Sequence, residues 1–223
     1  MVELNKIAIF STLSASEVKE ISPYVMPVSL KKKDVIFSEG DPSEWLYIVA
    51  EGKVKITKLS QDGKEIILEV IHPMDFFGGL AVIRGFPYPA NAIAMEDTRL
   101  MKISRSNLMR VLDRFPNLMY CMAQQVGDRM KESHETLKNI ALERVEARIA
   151  SLLLKLADKT GKKGVEGVSI DMKLTKQDIA EMVGTTVETS IRTMSKFRKM
   201  GIVGEKEGKI VIKNLEKLKS LWD

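Results

Sequence analysis

The sequence predicts an α+β protein in which a small β-roll or barrel is followed by a long helix and a second, mainly helical region. Short β-rich runs between residues 31 and 104 are separated by glycines. Residues 117–140 contain no proline, and apolar residues recur there every three or four positions. Apolar residues at 149–156 have the periodicity of two further helical stretches, and a glycine-rich break is predicted at 161–164. Beyond residue 170, two short helical patterns flank Gly184. A chain of 223 residues has room for two regions of this size.

The β-rich part is predicted from alternation and turn residues. Residues 53–59 alternate between polar and apolar side chains, as in a half-buried strand. Asp62-Gly63 predicts a tight hairpin, after which residues 64–71 run back. Before this part, Ser14 and Glu17 have capping-box spacing, so a short helix is expected there until Pro23 interrupts it. Three further short strands are predicted, at 34–37, 45–49 and 92–94.

The long helix is predicted to pair with a second copy of itself. Its length of about 25 residues corresponds to about 37 Å, which is more than a small β-roll needs as cover. The apolar spacing approaches a heptad seam, with one residue of drift. The other interpretation is a core helix beneath the roll, and one helix can serve both purposes. The predicted dimerisation residues are Met119, Met122, Val126, Met130 and Leu137.

Charge and composition narrow the class of protein. The formal net charge is +5, and residues 141–223 hold 17 basic and 12 acidic side chains, which favours a nucleic-acid partner for that part. The single cysteine, Cys121, excludes a disulfide framework and a four-cysteine metal site. With no apolar run long enough for a membrane span and no secretion signal in residues 1–6, a cytoplasmic protein without a membrane partner is expected.

The C-terminal part contains a predicted winged helix-turn-helix. Thr175 and Asp178 have capping-box spacing, and Gly184 suits the left-handed turn that ends a helix. A second helix is predicted over 185–200. Residues 204–208 are typical of a turn, and residues 209–213 return as a strand, which completes a β-hairpin wing.

The second of these helices has a face suited to reading DNA. Glu188, Arg192 and Lys196 are spaced by four and share that face. Arginine can donate two hydrogen bonds to guanine, and glutamate can accept one from cytosine. The other interpretations are that Glu188 closes a capping box with Thr185, or that it forms a surface ion pair with Arg192. The predicted DNA-binding residues are Thr175, Thr186, Val187, Glu188, Thr189, Arg192, Lys196 and Lys199.

Over nearly its full length the chain resembles the Crp/Fnr family of bacterial transcription regulators. The stretches that carry the resemblance are 35–41, 46–54, 63–68 and 75–81, together with the helix-turn-helix. The resemblance implies three parts: an effector-sensing roll of the cyclic-nucleotide-binding type at 1–114, a dimerisation helix at 115–140 and a winged helix-turn-helix at 141–223. It also implies a homodimer on double-stranded DNA with an inverted-repeat site, and makes RNA polymerase a candidate partner.

Departures from the family pattern bear on the effector. Members that bind cyclic AMP have Gly-Glu-Leu followed by Arg-Ser-Ala, whereas this chain has Gly78-Gly79-Leu80 and Tyr88-Pro89-Ala90-Asn91. Without the glutamate and the arginine, the ribose and the cyclic phosphate lose their partners, so cyclic AMP is not expected. The iron–sulfur branch needs four cysteines and is not expected either. The absence of a metal-binding histidine pair, a Walker loop and a nucleophile motif argues against an enzyme, whether a cupin-like catalyst or one controlled through the roll.

An apolar pocket remains as the expected effector site. The run around Tyr88 resembles that of regulators named for the hybrid-cluster protein, which implies control by heme and nitric oxide under nitrosative or redox stress. Candidate heme ligands are His72, Met74 and His134. The simpler interpretations are that His72 is a surface turn residue, that Met74 only packs and that His134 is a polar position on the dimer helix. The alternatives are a ligand-independent dimeric repressor and a cyclic-nucleotide regulator with an atypical pocket. The predicted pocket residues are Phe77, Gly78, Gly79, Leu80, Ala81, Tyr88, Pro89, Ala90, Asn91, Met130, Ser133 and His134.

Overall fold

The structure is a computed structural model that describes residues 7–222. Residues 1–6, on which the expectation of a chain without a secretion signal rests, lie outside the described residues. The chain divides into two compact units, the first ending at Lys131 and the second beginning at Glu132. This boundary falls inside the long helix, between the limits of 114 and 140 that the family resemblance implies.

The first unit contains two four-stranded antiparallel sheets. One has the order β1-β8-β3-β6 and the other β2-β7-β4-β5. The strands are β1 (Met26–Leu30), β2 (Val35–Phe37), β3 (Trp45–Glu51), β4 (Val54–Leu59), β5 (Glu65–Ile71), β6 (Phe76–Phe77), β7 (Asn91–Ala94) and β8 (Thr98–Ser104). The helices are α1 (Ala15–Ile21), α2 (Gly79–Arg84), α3 (Arg105–Arg114) and α4 (Asn117–Leu142), the last of which continues into the second unit.

Local signals in this unit give the structure that the sequence predicts. Ser14 and Glu17 form the capping box of α1, and the helix ends at Ile21 just before the turn that contains Pro23. Gly63 has a φ of 77°, as the tight hairpin between β4 and β5 requires. Strands β1, β6 and β8 and helices α2 and α3 were not predicted. Pro27 lies within β1, which tolerates it because β1 is an edge strand.

The core of the first unit fills the space between its sheets and the helices that cover them. Leu46, Ile48 and Ile103 are completely buried in it. The long helix takes part, since Leu118 and Met122 belong to the same core. The expectation that α4 has a face beneath the roll is therefore met at its N-terminal end.

The second unit combines the C-terminal turns of α4 with a helical bundle and a four-stranded sheet of order β11-β12-β10-β9. Its apolar positions at 149–156 lie on one helix rather than on two helical stretches. The glycine-rich segment 161–164, predicted as a break, is instead a strand paired with the next one. The elements are α5 (Val145–Thr160), β9 (Gly161–Gly164), β10 (Gly167–Ile170), α6 (Lys176–Val183), α7 (Val187–Lys199), β11 (Val203–Lys206), β12 (Lys209–Ile212) and α8 (Leu215–Lys219).

The wing differs in detail from the prediction. Residues 204–206, predicted as part of the turn, belong to β11, and the turn itself consists of Glu207 and Gly208. Both have positive φ, 53° and 75°, as a two-residue hairpin turn requires. None of the helices among residues 7–222 is long and apolar enough to cross a membrane.

Candidate nucleic-acid interface

The turn between α6 and α7 is fixed by local hydrogen bonds. The Thr175 amide donates to Asp178 Oδ2 at 2.8 Å, and the Asp178 amide donates back to Thr175 Oγ1 at 3.0 Å, so α6 begins with a complete capping box. Gly184 ends α6 in the left-handed conformation with a φ of 64°. The Thr185 amide then donates to the Ala180 carbonyl at 2.9 Å. This tight connection allows α7 to begin two residues later.

The helix α7 has a buried side and an exposed side. Met194 and Phe197 are almost fully buried, and Ser190 and Thr193 are buried beside them. The opposite side, called here the reading face, carries the exposed side chains Glu188, Ile191, Arg192, Ser195, Lys196 and Lys199. The structure therefore brings together Glu188, Arg192, Lys196 and Lys199 of the predicted DNA-binding set.

The predicted threonines have capping roles. Thr186, not Thr185, is the N-cap of α7, and its Oγ1 accepts from the Thr189 amide at 3.2 Å. The same hydroxyl donates to Thr189 Oγ1 at 3.0 Å. The cap of α7 is therefore closed by Thr189, and the capping box of Glu188 with Thr185 that the sequence also allowed is wrong. Val187 and Thr189 are half-buried at the start of the helix.

Two ion pairs at this surface were missed by the sequence interpretation. Lys196 Nζ contacts both carboxylate oxygens of Glu146 at 2.8 Å, and Arg198 contacts Glu205 Oε2 at 2.9 Å. The first pair joins α7 to the start of α5, and the second joins α7 to the wing. Glu146 lies 50 residues before Lys196, and no local pattern indicates that they meet.

Comparison with known proteins identifies this architecture. The model of the cyclic nucleotide-binding domain matches residues 27–115, and that of the Crp-like helix-turn-helix domain matches residues 147–221. The chain belongs to the Crp/Fnr family of transcription regulators. Such regulators bind DNA as dimers.

Three Crp/Fnr relatives illustrate the similarity. The CRP-like cAMP-activated global transcriptional regulator of Mycobacterium tuberculosis is 26% identical over 215 residues, 96% of each chain. The global nitrogen regulator of Synechocystis is 27% identical over 197 residues, 87% of each chain. The solved structure of FixK2 from Bradyrhizobium japonicum is 25% identical, with a TM-score of 0.79 over 88% of this chain and 96% of that one.

The long helix of this Crp/Fnr protein has an apolar face that its own fold leaves exposed. Met119 and Val126 are exposed on it, as are Met130 (58% exposed) and Leu137 (65% exposed). Met122, predicted to belong to the same face, does not: it is 5% exposed and packs in the core of the first unit. Met122 differs from the other four residues because of helix geometry. Positions 118 and 122 lie on one side of α4, whereas positions 119, 126, 130 and 137 lie on another.

The interior of the roll holds four packed aromatic rings, called here the ring cluster: Phe37, Tyr47, Phe77 and Tyr88. Phe37 and Tyr88 stack with centroids 3.7 Å apart, and Tyr47 and Phe77 stack at 5.3 Å. The Tyr88 hydroxyl donates to the Trp45 carbonyl at 2.6 Å and accepts from the Trp45 amide at 3.1 Å. Burial raises the pKa of Tyr88 and of Tyr47 above the usual phenol value, so both stay neutral.

The predicted pocket residues are not all found together. Phe77, Gly79, Ala81, Tyr88 and Ala90 are buried, Gly78 and Asn91 are half-buried, and Leu80 and Pro89 are exposed. The Asn91 side-chain oxygen accepts from the Glu39 amide at 2.9 Å, which gives it a structural role. Met130, Ser133 and His134 are exposed on α4, and the last two belong to the second unit.

The heme-ligand candidates have ordinary surroundings. Met74 has a φ of 74°, its amide donates to the Val49 carbonyl at 2.8 Å, and its side chain packs against the core of the roll. His72 is half-buried, and His134 is exposed on α4. Cys121 is half-buried, with its sulfur 3.9 Å from Thr12 Oγ1. Among the described residues, no cluster of three or more histidine, cysteine or acidic side chains could hold a metal ion.

Arg129 is a functional candidate that the sequence did not indicate. Its guanidinium donates to the Phe76 carbonyl at 2.6 Å and pairs with Glu69 at 3.0 Å. It also lies over the Phe76 ring, 5.2 Å from the centroid. These contacts bind α4 to β5 and β6 next to the ring cluster, so Arg129 couples the long helix to the roll.

Proposed function

We propose that this Crp/Fnr protein is a cytoplasmic transcription regulator, rather than an enzyme, that binds inverted-repeat DNA as a homodimer. The observation that carries the proposal is the reading face, where Glu188 and Arg192 are exposed on one side of α7 beside Lys199. A helix of this kind fits the major groove, where side chains near its start reach base edges. RNA polymerase is a further candidate partner.

The reading face suits a defined base preference. Arg192 can donate two hydrogen bonds to a guanine, and Glu188 can accept one from a cytosine amino group. The family resemblance implies a TGA-like core in each half-site, while Val187 in place of an arginine implies a different preference at the outer base. Lys199 is placed to contact phosphates, which strengthens binding to every sequence alike.

Dimerisation is proposed through the exposed apolar side of α4. Val126, Met130 and Leu137 recur along it at steps of four and seven. Exposed methionine, leucine and valine side chains in one stripe gain free energy when a second helix covers them. A homodimer with two-fold symmetry has two reading faces, as an inverted repeat requires.

The effector is proposed to be something other than cyclic AMP. The family glutamate is replaced by Gly79, and a Cβ there would lie 2.9 Å from Leu46 Cδ1 and 3.0 Å from Met122 Cε. A glutamate at this position would therefore need the core around it to move. The second family block has no arginine for a cyclic phosphate, since Pro89, Ala90 and Asn91 stand there.

Heme is not part of the proposal. The ring cluster occupies the interior of the roll, and Met74 packs against its core, so the described side chains do not fit a porphyrin. The same cluster favours a second candidate function, a ligand-independent regulator in which the roll serves as a rigid support for α4. Both candidates share the reading face and differ only in whether a small molecule changes DNA binding.

Selection from a random duplex library tests the proposed function. We expect the purified protein to enrich inverted repeats whose half-sites have TGA-like cores about one helical turn, 10–10.5 base pairs, apart. Added cyclic AMP should leave the affinity unchanged, and sedimentation should give a dimer. Enrichment of no sequence, or of a single half-site by a monomer, would contradict the proposal.

A second measurement separates effector control from ligand-independent binding. The protein is unfolded in urea, dialysed to remove bound small molecules and refolded, and its affinity for the selected site is then measured with and without a small-molecule cell extract. Equal affinities support the ligand-independent regulator. A change of affinity with the extract supports an effector, whose mass can then be determined from the complex.

A further inference from the structure

A small cavity in the second unit is lined by cationic and polar side chains. Its volume is about 50 Å³, and it lies among the last turns of α4, the middle of α5 and the end of α6. Its lining contains two cationic side chains, Arg148 and Lys155, and no acidic one. The other residues that line it are Thr136, Asn139, Ile140, Ser151, Leu152, Met182 and Val183.

Two buried polar atoms at this cavity are without hydrogen-bond partners. Asn139 is only 7% exposed, and its amide nitrogen donates to Ser151 Oγ at 3.2 Å, while its Oδ1 is buried and unpaired. Arg148 Nε is buried and unpaired as well. Buried polar groups are nearly always paired, so atoms of this kind indicate a ligand or an ordered solvent molecule.

The orientation of the Asn139 amide matters for what the cavity can hold. The two orientations of this amide occupy nearly the same volume, because its oxygen and nitrogen are similar in size. In the turned orientation, the oxygen accepts from the Ser151 hydroxyl and the nitrogen becomes a donor toward the cavity. The polar ends of Arg148, Lys155 and Asn139, which all line the cavity, can then supply N–H donors to an anion.

The two cationic side chains at the cavity have no carboxylate partner in the part of the chain that the structure describes. Arg148 and Lys155 are half-buried, and within residues 7–222 no ion pair is found for either. Lys159, one turn further along α5, does have a partner, because its Nζ contacts Glu132 Oε2 at 2.7 Å. Two partly desolvated cations without a counter-charge are costly, and a bound anion would offset that cost.

We propose that this cavity, called here the oxyanion cavity, binds a small inorganic oxyanion such as sulfate, phosphate or nitrate. One water molecule needs on the order of 10–15 Å³ of such space, so about 50 Å³ accommodates a group of four or five non-hydrogen atoms. Met182 and Val183 are the last residues of α6, so a bound oxyanion would tie α4 and α5 to the first helix of the helix-turn-helix. The proposal does not depend on the proposed function.

Calorimetric titration of the full-length protein with sodium sulfate tests the proposal. We expect saturable binding of one sulfate per chain with a dissociation constant in the millimolar range or below, and phosphate and nitrate should compete. Arg148→Met should weaken it about tenfold or more, because a charge-assisted hydrogen bond is lost. Lys138→Met is the matched control, since Lys138 lies on α4 in the same unit but outside the cavity, and it should bind as the wild type does.

Two further variants keep the test decisive. If Arg148→Met does not fold, Lys155→Met removes the other cation and should also weaken sulfate binding. Arg192→Ala removes a cation from the reading face, where anions can imitate DNA phosphates, and it should leave the sulfate affinity unchanged. Crystals grown with selenate should show anomalous scattering inside the cavity.

Several results would overturn the proposal. One is the absence of saturable sulfate binding to the wild type, which would mean that water alone fills the cavity. Unchanged affinity in both cavity variants, or loss of binding in Arg192→Ala, would place the anion elsewhere. Selenium scattering only outside the cavity would lead to the same conclusion.

Discussion

The predicted functional side chains of the roll and of the helix-turn-helix differ in their exposure to solvent. In the roll, Phe77 and Tyr88 are buried and stacked against Tyr47 and Phe37. On α7, Glu188 and Arg192 are exposed with open space beside them. The aromatic side chains of the roll pack against one another, whereas the charged side chains of α7 must be hydrated by solvent or bound by a partner.

The comparison shows what each kind of pattern predicts. An apolar run such as 76–83 predicts burial, but a run alone does not distinguish the lining of an empty pocket from a packed interior. Charged residues spaced by four on a capped helix predict a shared, solvated face, because burial of unpaired charges is costly. The reading face could therefore be predicted from the sequence, while the ring cluster could not.

The largest expected effect concerns the packing of the roll. Phe37→Ala should lower the free energy of unfolding of the first unit by about 3–5 kcal/mol, because it leaves a cavity between the other rings. Urea unfolding followed by Trp45 fluorescence in a Trp222→Phe background measures this. Leu80→Ala, at a side chain that is 54% exposed, is the control and should cost about 0.5 kcal/mol or less. A loss below about 1 kcal/mol for Phe37→Ala would mean that the interior has room for an effector.

Much of the fold followed from short-range signals. The capping boxes at Ser14 and Thr175, the hairpin at Gly63 and the turn at Gly184 each depend on residues within a few positions of one another. The segment 161–164 was misjudged because its glycines suggest a break, whereas pairing with β10 makes it an edge strand. Tertiary pairing overrides local preference in such strands.

The parts of the site that could not be predicted are contacts between distant residues. Arg129 meets Glu69, and Lys196 meets Glu146, across separations that no periodicity spans. Met122 was misassigned for a related reason. Apolar residues spaced by three or four positions indicate an apolar side of a helix. This spacing alone does not show which of two adjacent helix faces the roll covers.

The variant Arg192→Ala tests whether the exposed reading face recognises bases. The variant should lose about 1–3 kcal/mol of discrimination between the selected site and a scrambled one, corresponding to about 5–150-fold in affinity. Fluorescence anisotropy on both duplexes measures this, and sedimentation should still show a dimer. Lys163→Ala, on the exposed strand β9, is the matched control. Unchanged discrimination in Arg192→Ala would remove Arg192 from base recognition.

Lys199→Ala should weaken binding to all sequences by a similar factor. Loss of one phosphate contact lowers the slope of log K against log salt by about 0.9. Anisotropy titrations between low and moderate salt, on the selected and scrambled duplexes, measure that slope. A loss confined to the selected duplex would show instead that Lys199 reads a base.

Glu146→Gln tests whether the ion pair at α5 restrains the reading face. With its carboxylate partner removed, Lys196 is free to contact a phosphate, so the affinity should rise modestly for every sequence and the salt slope should steepen by at most about 0.9. Glu205→Gln is the matched control, because Glu205 pairs with Arg198 toward the wing. If Glu146→Gln leaves both the affinity and the slope unchanged, Lys196 does not contact DNA.

The smallest expected effect is a pH dependence that belongs to the second unit alone. Lys162 and Lys209 contact Asp171 at 2.6 and 2.5 Å and lower the pKa of its carboxyl from 3.8 to about 2. Since the folded pKa lies below the unfolded one, the stabilisation is complete above pH 4 and is lost as the pH falls toward 2. Asp171→Asn should therefore lower stability by less than about 1 kcal/mol at neutral pH, because the pair is partly exposed. The difference from the wild type should shrink as the pH falls below 4 and vanish below pH 2, as urea unfolding followed by Trp222 fluorescence in a Trp45→Phe background can measure. A difference that is constant between pH 2 and 5 would show that the two lysines do not perturb Asp171.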